Sequence, residues 1–315
     1  MNKEEQIKIL DKICPLRKGQ TTQRRIRHEF FQSIETEIQA YLLGFHVADG
    51  CVDDPKCMLR VELTETDVEI VQLFKDYVGP DATMYCKKAR ITKNPHNGKE
   101  IHIKPSWAVD IYSKSIRDDL SNLGYGARKT YLELSIPKIK EDLIPHFLRG
   151  YFDGDGCFSW CVYKGYHDHD QLKKSVYFVS NTKTLLSEIK NYLDQKGIVA
   201  HLRTKKNGNF CLEIQSMKGV KDFYKLIYSN SNFKLNRKYE KFNHFVNTEV
   251  TQLIAEYRNA QKVSASDSNN PSTSAEHPTG VKMCAELTGN CENSEIKSSE
   301  DNNVGMEWND SSECC

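Results

Sequence analysis

The sequence lacks any run near the ~18 consecutive apolar residues of a membrane span. Its opening stretch, MNKEEQIKIL, is charged and has no apolar signal-peptide core. These two absences point to an intracellular protein whose eleven cysteines are thiols, with the compartment left open. Four of those cysteines, Cys284, Cys291, Cys314 and Cys315, fall near the end without a Cys-x-x-Cys pair, which argues against a zinc ribbon there. Cys157-x3-Cys161 followed by His167-x-His169 matches no standard finger spacing, and two half-buried strand cysteines before a polar loop are the expectation. Net charge is also nearly absent, with 44 Lys and Arg against 43 Asp and Glu.

That balance hides a division. From residue 260 onward there are three basic residues (Lys262, Lys282, Lys297) and ten acidic ones, which leaves 41 basic and 33 acidic residues before it. A basic body with an acidic tail suggests a polyanionic partner for the body. Residues 259–315, rich in Ser, Asn, Glu and Pro, cannot bury enough apolar surface to offset the entropy of ordering and are expected to be disordered. Residues 1–30 read as a basic N-terminal extension: a short helix over KEEQIKILDKI, then Arg17, Lys18, Arg24, Arg25 and Arg27 in a compact run suited to phosphate contact.

The middle of the chain repeats one plan over residues 31–140 and 141–258. YLLGFHVADGCV (Tyr41–Val52) returns as FLRGYFDGDGCF (Phe147–Phe158), each position offset by 106. In each copy the Asp-Gly helix is followed by β-like runs and an amphipathic helix (TETDVEIVQLFKDYVG, NTKTLLSEIKNYLDQKG). A basic hairpin with an Asn-Gly turn signal at Asn97-Gly98 or Asn207-Gly208 follows, then a short helix and a basic segment. A repeat of this length predicts two similar units about a pseudo-twofold axis.

Thr36 and Gln39 match a capping box that starts the first motif helix, and Pro145 fits the first turn of the second. Gly44 and Ala48, and Gly150 and Gly154, are small residues four apart, hence on one face of each helix. Glycine inside a helix costs ~1 kcal/mol against alanine, and close approach of two helix backbones is a reason for it. Pairing the helices on these faces sets Asp49 beside Asp155. Two crowded carboxylates call for cations between them, and a small oxygen donor set with room for water and phosphate suits Mg2+. Such a site serves phosphodiester displacement. Lys87, Lys88, Arg90, Lys93, Lys99 and Lys104 in copy one, and Arg203, Lys205 and Lys206 in copy two, would flank it as basic β-ribbons able to enter a DNA groove.

LLGFHVADG and LRGYFDGDG resemble the dodecapeptide motifs of the LAGLIDADG (DOD-type) homing endonucleases, over roughly residues 31–245. The resemblance implies an α+β fold of two pseudo-symmetric αββαββα repeats packed through the motif helices, with antiparallel DNA-binding saddle sheets. It implies cleavage of long, near-asymmetric double-stranded DNA sites by a monomer with Mg2+ or Mn2+. It also implies a metal centre at Asp49 and Asp155 with Gly50 and Gly156, and a basic residue from late in each repeat. Lys129 in GARKT fits the first; Lys238 in RKYEKF is the nearest fit to the second, with Arg237 and Lys234 as rivals. His46 departs from an ordinarily apolar motif position and is expected half-exposed. Asp153, two residues from Asp155, is expected to point away from the metal. An intron maturase binding RNA and a non-cleaving DNA-binding regulator are the alternatives on the same scaffold. An intein should begin with Cys or Ser and end in Asn, so a free-standing protein is the expectation for a chain that starts with Met and ends Glu-Cys-Cys.

Overall fold

Thr36 and Gln39 start the helix around which the rest is built. The Thr36 hydroxyl accepts from the Gln39 N–H at 3.4 Å, and the Gln39 side chain accepts from the Thr36 N–H at 3.2 Å. The Gln39 amide also donates to the carbonyls of Phe30 and Ser33, which fixes the approach of the chain. This computed structural model describes residues 2–19, 24–93 and 98–267. The helix it starts, α2 (Glu37–Asp49), is buried on all sides from Glu37 to Val47, as a nearly all-apolar sequence requires.

Before it come α1 (Lys3–Ile13) and the short paired strands β1 (Arg17–Lys18) and β2 (Arg25–Ile26). The segment expected as an extension is docked instead. Leu10 and Cys14 are fully buried, and the Gln6 side chain donates to Glu37 and accepts the Ile38 N–H at 2.9 Å. Satisfying buried polar groups at the α2 N-terminus holds α1 against the core.

After α2 run β3 (Cys51–Asp53), β4 (Met58–Thr64), α3 (Val68–Val78), β5 (Met84–Lys87), the hairpin β6 (Arg90–Lys93) and β7 (Glu100–Ile103), β8 (Ser106–Tyr112) and α4 (Lys114–Asn122). The second copy runs α5 (Ile144–Gly154), β9 (Cys157–Lys164), β10 (Asp170–Ser180), α6 (Lys183–Gln195), β11 (His201–Thr204), β12 (Phe210–Ile214), α7 (Met217–Tyr228) and α8 (Asn236–Asn247). The sheets are ordered β3-β4-β8-β5 and β9-β10-β12-β11, all antiparallel, with matching places for each strand. One face of each sheet is apolar by alternation. Val61, Val109 and Ile111 pack towards Ile70, Val71 and Phe74; Val176, Phe178, Leu212 and Ile214 belong to the same core as Leu186, Ile189 and Phe223. The fold is therefore α+β, and β6–β7 is an addition confined to the first copy. Its turn carries Gly98 at φ +68°; Asn97 lies outside the described residues.

Residues 1–255 form one unit and residues 256–315 another. Disorder expected from residue 259 does not begin there, because α9 runs Val250–Asp267; residues 268–315 lie outside the described residues. No helix among the described residues is long and apolar enough to cross a membrane. The seven described cysteines form no disulfide.

Candidate active site and nucleic-acid interface

The packing of α2 against α5 is the most extensive between any two elements. A Cβ on Gly44 would lie 2.0 Å from the Phe147 carbonyl oxygen, and one on Gly150 would lie 2.0 Å from that of Tyr41. At the far end a Cβ on Gly154 would meet the Ala48 Cβ at 2.3 Å and an Asp49 carboxylate oxygen at 3.1 Å. Backbone thus lies against backbone along one face, and the two Asp-Gly ends emerge together.

Asp49 and Asp155 open to water at these ends and accept no side-chain hydrogen bond or ion pair among the described residues. Protein hems them in on the other sides. Loss of hydration, and next the neighbouring Asp49, push Asp155 up to about 6. Asp49 is raised by burial, against the opposing pull of Lys129 and Lys238. Because both residues reach solvent, their desolvation is partial. Asp153 faces elsewhere: it is buried and accepts from the hydroxyls of Tyr41 at 2.9 Å and Tyr228 at 2.7 Å and from the Leu235 N–H at 2.8 Å.

Two lysines close the helix ends. Lys129 Nζ donates to the carbonyls of His46 and Ala48, the second at 3.1 Å. Lys238 Nζ donates to those of Phe152, Gly154 and Gly156 at 2.9, 2.7 and 2.6 Å. His46 and Phe152, and Ala48 and Gly154, are pairs at the 106 offset, so the two lysines take equivalent places. Each ties together carbonyls at a helix C-terminus, where the helix dipole also favours a cation; the His46 carbonyl accepts from the Gly50 N–H as well. Burial lowers both ammonium groups to about 8. Arg237 is instead paired with Asp67, and Lys234 lies 3.4 Å above the Tyr239 ring. His46 is fully buried, not half-exposed: one ring nitrogen meets the Tyr125 carbonyl at 2.9 Å, and burial drives the imidazole down to about 3, so it is neutral.

The donors suit a hard cation. Two carboxylates without side-chain partners among the described residues stand at the helix ends, and the nearby Gly156 carbonyl already accepts from Lys238. No group of three His, Cys, Asp or Glu side chains that could hold a metal occurs among the described residues, so Asp49 and Asp155 would leave most coordination positions to water and phosphate, as Mg2+ prefers. Cys157 and Cys161 lie on β9, half-buried, and form no such group with His167 and His169.

The basic side chains divide into exposed and engaged. Lys88, Arg90, Lys93, Lys104, Lys205 and Lys206 are exposed in or beside the hairpins, and Lys99 is exposed with a partner of its own. Lys87 is ion-paired to Glu62 at 2.5 Å, and Arg203 lies 3.6 Å from Glu213. Of the N-terminal run, Arg17 pairs with Glu29, Arg25 pairs with Asp81 through two nitrogens, and Arg27 is buried against Asp11 and the Cys14 carbonyl. Arg17, Lys18, Arg24 and Arg25 nevertheless stay exposed, whereas Arg27 is withdrawn from the surface. The polar sheet faces add residues that sequence reasoning missed. Arg60 makes a two-nitrogen contact with Asp110, joined by the Tyr85 hydroxyl; Glu62 joins Lys87 to Ser106; Glu213 joins Ser175 towards Arg203. The signal was available in the alternation of Arg60-Val61-Glu62 on β4.

A two-copy α+β fold with an acidic pair between its central helices defines the class. Residues 142–228 match the family model described as LAGLIDADG-like domain. A curated relative, the replication factor C small subunit of Methanocaldococcus jannaschii, is 26% identical over 233 residues, or 73% of this chain; the match spans 10% of that protein's length. Among solved structures, the LAGLIDADG homing endonuclease I-LtrWI bound to target DNA is similar at 12% identity and a TM-score of 0.45, over 71% of this chain and 97% of its own. The LAGLIDADG meganuclease I-CpaMI bound to uncleaved DNA is similar at 12% identity and a TM-score of 0.48, over 71% and 98%.

Proposed function

We propose that the protein is a site-specific endonuclease for double-stranded DNA, acting as a monomer whose repeats, 31–140 and 141–258, each supply one carboxylate. The observation that carries this reading is the free Asp49–Asp155 pair at the meeting ends of α2 and α5, capped by Lys129 and Lys238. Asp49 and Asp155 would hold Mg2+ or Mn2+, which when bound activates water and stabilises the leaving oxygen of a phosphodiester. Lys129 and Lys238 fix the carbonyl ends that aim the two acids. With ammonium groups near 8, both lysines stay cationic at neutral pH beside an incoming phosphate and lie close to proton exchange. The charged outer faces of the sheets, with Arg60, Lys87 and Arg203 already oriented by acids, would meet the duplex, and the exposed lysines of the hairpins would neutralise its phosphates.

The test is incubation with supercoiled plasmids carrying randomised inserts, with Mg2+ and with EDTA. Linear product from a subset of inserts, with Mg2+ only, is expected. Retention of specific inserts on the protein with no cutting in Mg2+ or Mn2+ would replace the nuclease with a regulator. Specific binding of structured RNA alone would favour a maturase.

A further inference from the structure

Each helix-capping lysine follows an arginine, as Arg128-Lys129 and Arg237-Lys238, and the two arginines differ. The guanidinium of Arg237 donates through Nε and Nη2 to the two carboxylate oxygens of Asp67, the latter at 2.6 Å. Asp67 belongs to the first repeat and stands at the start of α3 with its side chain only 11% exposed. One turn of contact surface away, Asn236 donates its backbone N–H to Glu69 at 2.7 Å and its side-chain amide to the same carboxylate. From below, Asp153 accepts the Leu235 N–H. The first turn of α8, which bears Lys238, is thereby held by its own repeat and by α3 of the other.

Among the described residues the first repeat has no equivalent lock. Lys129 opens a three-residue 3-10 turn, and Arg128 before it is exposed with φ +55°. Arg128 makes no ion pair or side-chain hydrogen bond among the described residues. The residue at the start of α6, in the place that Asp67 occupies at α3, is Thr182, whose hydroxyl meets that of Ser180 at 3.0 Å. Two parallel N–H to oxygen contacts give orientation as well as attraction, and a carboxylate with little exposure is weakly screened. Lys238 is therefore the more firmly placed of the two lysines.

We propose that Asp67 is a positioning residue for the second half of the site: through Arg237 it locks Lys238 in place, so that the two DNA strands are cut at unequal rates, the Lys238-dependent strand first. This rests on the endonuclease reading above. Asp67 makes no capping hydrogen bond of its own to α3, so its replacement tests the lock without removing a cap.

Two measurements on the full-length protein separate the possibilities. In the first, acetic anhydride labelling read by mass spectrometry reports each lysine without DNA. Asp67→Thr and Arg237→Gln should raise the labelling of Lys238 several-fold and leave Lys129 unchanged, and the charge swap Asp67→Arg with Arg237→Asp should restore protection. Unchanged Lys238 labelling in both single variants, or equal rises at Lys129 and Lys238, would overturn the lock. In the second, nicking of each strand is followed on a plasmid that the wild type selects from the randomised pool. Lys238→Met identifies its strand. Asp67→Thr should slow that strand roughly tenfold or more, since small misplacements of a positioned group cost that much, with the other strand within about twofold. Equal slowing of both strands would overturn the proposal. Failure of the wild type to cut any plasmid would remove the endonuclease reading instead, and the labelling result would still decide the lock.

Discussion

Asp155 concentrates the electrostatic tension of the site. Its carboxyl titrates at about 6 because burial and the Asp49 charge both disfavour ionisation. A carboxyl raised in this way holds its proton more tightly in the folded than in the unfolded chain. The folded state is therefore favoured at low pH and loses stability as pH rises from the unfolded value of about 3.9 through about 6. Asp155→Asn removes that loss. Urea unfolding should show the variant and the wild type equal near pH 4, and the variant more stable by roughly 1 kcal/mol at pH 8, a figure reduced from the full shift because Asp155 reaches solvent. Equal stability at both pH values would mean that the two acids do not oppose one another. The same residue that stabilises the fold when neutralised should be needed for cutting, the usual conflict at a site built from like charges.

At the scale of elements, α2 and α5 meet with no room for a methyl group. Ala at Gly44 or Gly150 would drive its Cβ to 2.0 Å from a carbonyl oxygen of the opposite helix, a contact relieved only by separating the backbones. Either substitution should cost roughly 3 kcal/mol or more in thermal or urea unfolding. Loss of about 1 kcal/mol or less, as for a glycine with open space around it, would show that the helices pack elsewhere. This part of the fold was legible because it is local and repeated. The Thr36–Gln39 cap, the glycine spacing and the strand alternation each lie within a few residues of sequence, and the copy at 106 residues gives the small-residue spacing and the strand pattern, though not the cap, a second instance. What was hidden is what depends on distant partners. Glu37 lies one residue past the Thr36 cap, in the first turn of α2. It accepts from the buried Arg149 at 2.7 Å, from Asn232 and from Gln6, joining both motif helices to α1 and to the loop before α8. Asp67 and Arg237, 170 residues apart, carry no mutual signal in one sequence. His46 was misjudged for the same reason: its environment is set by Tyr125, brought in by the segment after α4. Breaking the buried pair by Arg149→Met should destabilise the protein by roughly 3 kcal/mol, because the Glu37 charge is left buried with fewer donors. A change below about 1 kcal/mol in urea unfolding would show that the network is dispensable.

For the whole molecule the division of charge matters more than its total. Residues 268–315 hold nine Asp and Glu against two Lys, while the part before residue 260 carries an excess of eight positive charges. An action of these acidic residues on the basic surface through solvent would be screened by salt. Removing residues 268–315 should tighten binding to mixed-sequence duplex DNA at about 50 mM salt. The difference should vanish as salt rises to several hundred millimolar. Identical affinities at low salt would show that the acidic residues do not act on the body. The central claim is that one carboxylate from each copy makes a single phosphodiester-cutting site. The measurement that tests it most directly is strand cleavage of a selected plasmid in Mg2+ by the wild type, Asp49→Asn and Asp155→Asn, with binding to the same DNA measured in parallel. The account predicts that each variant binds within about threefold of the wild type and that its cutting falls by roughly a hundredfold or more. Cutting at the wild-type rate by either variant would contradict it.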